Sequence, residues 1–105
     1  MSMTESRRQE WEFQKRHGGR VTPASGATPT IKGDWQDRVR VVECKTTGKD
    51  SIALQREWLK KLLLDTAGDG RIPAVEVEFQ PTERSARYRA YVIPEDAFER
   101  WMEKP

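Results

Sequence analysis

The chain has 105 residues and a mass of 12.2 kDa, enough for a single domain over 1–105. Charged residues make up 34% and hydrophobic ones 35%, against about 25% and about 45–50% in ordinary domains, so the core is small and a homodimer that buries further surface is expected. The longest run of large apolar residues is Leu62-Leu63-Leu64, which excludes a membrane span, and Met1 to Gly19 has no apolar leader core, so an intracellular, cytoplasmic protein is expected.

Residues 4–17 predict a helix of good helix formers, with Thr4 as its N-cap and Gly18-Gly19 as its stop. Only Trp11 and Phe13 are apolar in it, so light packing, or packing against a partner chain, is expected. From Gly19 to Gly33 the chain is dense in Gly, Pro, Ser and Thr. A short strand at Arg20–Thr22 followed by a loop is predicted there, the loop being either filler or a functional flap. Trp35-Gln36-Asp37 resembles a turn, and Arg38 to Lys45 is β-rich. Alternation puts Val39, Val41, Glu43 and Lys45 on one face of that strand, with Arg40, Val42 and Cys44 on the other.

A helix is predicted over Ser51 to Ala67, ending at Gly68, with Leu54, Trp58, Leu59, Leu62 and Leu63 covering one sheet face. Ile72 to Phe79 and Arg87 to Ile93 alternate as strands, with Val75, Val77 and Phe79 inward and Glu76 and Glu78 outward; Pro81 to Ser85 is the hairpin loop. Pro94-Glu95-Asp96 opens a last helix bearing Phe98, Trp101 and Met102 on one side, with Trp101 and Met102 a candidate dimer surface. The order is helix, two or three strands, helix, two strands, helix, which is an α/β chain.

Charge is uneven along the sequence. Residues 1–32 hold six Lys/Arg against three Glu, while the remainder holds thirteen basic and fourteen acidic groups. The basic third suits a partner bearing phosphate, and also fits a solvated surface helix. Asp34, Glu43 and Lys45 carry the chemistry. Two residues apart on a strand, Glu43 and Lys45 project from one face, and a hairpin would set Asp34 beside Glu43. Neighbouring carboxylates repel and raise each other's pKa, and a divalent cation removes that repulsion. With one Cys and one His, any metal rests on oxygen ligands, so magnesium, manganese or calcium is favoured over zinc. Lys45 could orient a water or stabilise charge on phosphorus. The same residues also fit an ordinary strand ion pair beside a turn aspartate.

Gly33-Asp34 followed by Val41-Val42-Glu43-Cys44-Lys45 resembles the PD-(D/E)XK nuclease signature, with Gly33 in place of the usual Pro. Gln9-Glu10, Lys15-Arg16-His17-Gly18-Gly19, Ala24-Ser25-Gly26-Ala27 and Lys32-Gly33-Asp34 extend the likeness to small archaeal-type and phage Holliday junction resolvases, over residues 8–93. That resemblance implies a restriction-endonuclease-like fold, a central mixed five-stranded sheet flanked by helices, and a homodimer. It also implies dependence on Mg²⁺, with Mn²⁺ substituting, and paired nicks in branched DNA during recombination or repair in a prokaryotic or phage-infected cell. Asp34, Glu43 and Glu10 would be metal ligands and Lys45 the catalytic lysine, with Glu12 and Glu5 competing for the place of Glu10. Ser25 and Gln55 would touch the site or the DNA. Arg7, Arg8, Lys15, Arg16, Arg20 and Lys32 are the phosphate-contact candidates. His17, Cys44, Trp58 and Trp35 read as structural, although Trp35 could stack on a base.

Overall fold

The computed structural model describes residues 5–21 and 34–103, with side chains from Arg7 onward. In chain order it contains α1 (Glu5–His17), β1 (Arg20–Val21), β2 (Trp35–Gln36), β3 (Arg40–Thr47), α2 (Arg56–Asp65), β4 (Ile72–Phe79), β5 (Tyr88–Val92) and α3 (Glu95–Met102). The strands form one five-stranded sheet in sequence order. β3 and β4 run parallel, joined by the α2 crossover that a parallel pair requires, and the other neighbours are antiparallel. The chain is thus α/β, with a mixed sheet flanked by helices. Among the described residues no helix is long and apolar enough to cross a membrane.

Alternation along β3 divides the core. Val41 joins Leu62, Val75 and Val77 beneath α2, with Trp58, Leu59 and Phe79 packed against them. Val42 and Cys44 join Phe13 and Trp35 beneath α1. Gly19 holds α1 close to β2. It has φ +76°, and a Cβ there would run into the Trp35 ring, whose Nε1 donates to the Gly18 carbonyl at 2.5 Å.

Several predicted boundaries move, each for a local reason. Trp35-Gln36 is a strand, and the turn begins at Asp37. Asp37 Oδ1 accepts the N–H groups of Val39 and Arg40 at 2.8 and 2.7 Å, so β3 starts only at Arg40 and runs on to Thr47. The second helix starts at Arg56, because Gln55 still has extended backbone (φ −97°, ψ 133°). Leu54 therefore precedes the helix and is exposed, as is Leu63, and the sheet face is covered by Trp58, Leu59 and Leu62.

Glu76 and Glu78 do not face water. Both are fully buried on the α1 side of the sheet. Arg16 Nη2 lies 3.0 Å from Glu76 Oε2, and Arg8 binds Glu78. Gln9, also fully buried, donates through Nε2 to the carbonyl and side chain of Glu76 and to the Lys45 carbonyl, at 3.1–3.2 Å. The first helix is therefore firmly seated within its own chain, largely through polar groups. Thr4, the N-cap candidate, and most of the predicted loop after Val21 lie outside the described residues.

Candidate active site

The site forms at the start of β2. The β2–β3 register closes with Trp35 opposite Val42, and one further step sets Asp34 opposite Glu43. Asp34 is fixed by the strand it meets. Its N–H donates to the Val42 carbonyl at 2.9 Å, and its Oδ2 accepts the Cys44 N–H at 2.7 Å. Backbone groups that the short β2 would otherwise leave unpaired are thereby satisfied by the aspartate.

Glu43 is buried on the α2 face. Its Oε1 lies 3.9 Å from Lys45 Nζ and its Oε2 lies 3.1 Å from Lys61 Nζ. Lys45 Nζ also sits 4.9 Å from the Trp58 ring centroid, a cation–π contact that limits where the ammonium can point. Burial and then the Asp34 carboxylate push the Glu43 carboxyl above its ordinary value, against the pull of Lys61 and Lys45.

Glu10 comes from α1. It is buried, with Oε1 3.0 Å from Arg7 Nη1. Burial, followed by Asp34, pushes its carboxyl up to about 7; Arg7 pulls it down and Glu43 adds a smaller upward push. Carboxylates from the first helix, the entry to β2 and the middle of β3 therefore feel one another's charge. Burial is the main cause of the elevation of Glu10 and Glu43, and the neighbouring carboxylates add to it.

These donors suit a hard cation. Mg²⁺ takes one or two carboxylates and keeps several waters, and the carboxylate repulsion that adds to burial in raising Glu10 and Glu43 is what such an ion relieves. Asp34 and Glu43 would hold it, with Glu10 as the third acid. Among the described residues no group of three or more His, Cys, Asp or Glu side chains is gathered as a ready-made cage, so the fit is to a water-rich ion on one or two carboxylates.

The other predicted residues divide clearly. Glu12 is engaged with Arg8 and, at 3.4 Å, with Arg89, which leaves Glu10 as the described helix acid coupled to Asp34; the Glu5 side chain, Ser25 and Lys32 lie outside the described residues. Gln55 is exposed at the start of α2 and makes no side-chain cap hydrogen bond. Arg7 pairs with Glu10, while Arg8 and Arg16 turn to the buried glutamates of β4. Lys15 and Arg20 are exposed. Trp35 is fully buried, and so unable to stack on a base. Cys44 is buried with its thiol pushed far up by burial, which excludes it as a nucleophile. His17 lies against the Phe13 ring, 4.4 Å between centroids.

Two residues of this region were given no role by the sequence reading, Lys61 and Gln9, the latter figuring only within the family resemblance. Lys61 stands three positions after Trp58, so the two share a helix face, and Trp58 is the ring that meets Lys45. Gln9 stands four positions before Phe13, the buried apolar residue of α1. Helical spacing was the available signal for both. No family model, curated protein or solved structure matches the chain.

Proposed function

We propose that this chain is a Mg²⁺-dependent DNA endonuclease of the PD-(D/E)XK kind, acting as a homodimer that places paired nicks in four-way junctions. The observation that carries the reading is the register that sets Asp34 opposite Glu43, with Lys45 beside Glu43 on β3 and Glu10 of α1 feeling the charge of Asp34 and Glu43. The strand order, with a parallel β3–β4 pair bridged by α2, supports a restriction-endonuclease-like fold.

Asp34 and Glu43 would hold Mg²⁺ or Mn²⁺, which when bound would supply Lewis acidity toward a phosphodiester and its attacking water. The protein's own groups do the rest. The Cys44 N–H fixes the Asp34 carboxylate. Lys45 offers an ammonium, steadied by Trp58, to charge developing on the phosphate oxygens. Glu10, poised near neutrality, is able to hold or release a proton beside them. Lys15 and Arg20 are exposed cations for backbone phosphates, giving salt-sensitive affinity without sequence reading.

Incubation of four-way junctions, linear duplex and single strands with Mg²⁺ tests the proposal. Symmetric nicks in the junction alone are expected, and Lys45→Ala should lower cleavage by about a hundredfold or more while leaving junction binding in place. Indifferent cutting of linear duplex would instead identify a restriction-like or repair nuclease. A chain that cuts nothing in Mg²⁺ or Mn²⁺ would identify a DNA-binding domain without catalysis.

A further inference from the structure

Glu43 is held by ammonium groups on both of its oxygens, and the two lysines differ in kind. Lys45 shares its strand and is steadied by the Trp58 ring. Lys61 approaches from α2, lies closer at 3.1 Å, and its side chain is 55% exposed. Its Nζ also lies 3.8 Å from Asp65, one helical turn further on. A lysine at that distance competes directly with any divalent ion for the Glu43 carboxylate, since both are satisfied by the same oxygen and repel each other. Its long exposed stem lets the ammonium leave without disturbing the core beneath Leu62.

We propose that Lys61 is a placeholder cation: it occupies Glu43 until the divalent ion arrives, and once displaced it contacts a non-bridging oxygen of the DNA phosphodiester brought to that ion. The inference rests on the nuclease reading and adds to it a second phosphate-facing lysine. It also accounts for a Glu43 carboxylate that is met by two ammonium groups before any metal enters. A static tie between α2 and β3 is the competing role, and it predicts no exchange of partners.

Mn²⁺ titration of the full chain, followed by the spin resonance of the free ion, separates the two. Lys61→Met keeps most of the aliphatic stem and should bind Mn²⁺ at least about fivefold more tightly than the wild type, as expected for removal of a competing ligand. Lys61→Arg should stay close to wild type, and Lys61→Gln should repeat the Met result if the Met side chain disturbs folding. With Ca²⁺ supplied in place of Mg²⁺, the salt dependence of junction binding by Lys61→Met should be shallower by about one in logarithmic slope. Without a divalent ion it should match wild type. Unchanged or weaker Mn²⁺ binding by Lys61→Met, or an unchanged salt slope with Ca²⁺, overturns the placeholder role alone. A wild-type chain that binds no Mn²⁺ overturns the nuclease reading and this inference with it.

Discussion

Glu10 keeps its proton to about pH 7 in the folded chain, whereas an unfolded glutamate loses it near 4.3. The stability that comes from the retained proton is fully present below the unfolded value and is lost as pH rises through about 7. Glu10→Gln should therefore gain on the order of 1 kcal/mol relative to wild type between pH 4.5 and pH 8, measured by urea denaturation; an offset that does not change with pH would show that Glu10 is not held protonated. Gly19 is a second residue with a definite consequence. Its positive φ and its contact with Trp35 leave no room for a methyl group, so Gly19→Ala should cost about 1–3 kcal/mol in the same assay. Glu43 and Lys45 were legible as a pair because a strand has period two, which places them together without knowledge of the rest. Glu10 was legible only through its resemblance to a known family. Lys61 was not read at all, since its reach to Glu43 depends on how α2 is rotated over the sheet.

The seating of α1 belongs to the scale of elements. Burial alone would raise the Glu78 carboxyl, but hydrogen bonds from Arg8 and Thr46, with the charges of Arg8 and Arg87, hold it below the usual carboxylate range. Its stability contribution is present above the ordinary pKa and is lost as pH falls through the depressed folded value. Glu78→Gln should cost about 3 kcal/mol near pH 7, as expected when one partner of a buried pair is removed, and the deficit should shrink below about pH 4; an equal deficit at both pH values would mean that charge is not what holds the helix. The alternation of β4 was read correctly, yet the surroundings of its glutamates were not. Alternation separates two faces of a strand but does not say whether the polar face meets water or a polar helix. The thin apolar content of α1 is the other half of the same fact: Arg8, Gln9 and Arg16 are the complement of Glu76 and Glu78. The shortened α2 has a comparable origin, because leucine spacing continues into Leu54 whether or not the backbone has yet turned helical.

At the scale of the whole molecule, apolar surface gathers around α3. Phe98, Trp101 and Met102 are exposed, and Trp101 borders a groove of about 580 Å³ that is also lined by Phe13, Ile72, Tyr91 and Ile93. A chain with so few core residues gains from covering that surface with a second copy. If the proposed homodimer forms through this face, Trp101→Glu should move the sedimenting species from dimer toward monomer at micromolar concentration, and a wild type that sediments as a monomer there would contradict the proposed homodimer. The β2–β3 register sets Asp34, just before β2, opposite Glu43 of β3. Whether those acids grip an ion that breaks DNA is tested most directly by single-turnover cleavage of a four-way junction in Mg²⁺ by wild type and Asp34→Asn. The wild type should nick the junction in pairs, and the variant should be slower by about a hundredfold or more while still binding it; equal rates for the two proteins would contradict the assignment of Asp34 as a metal ligand.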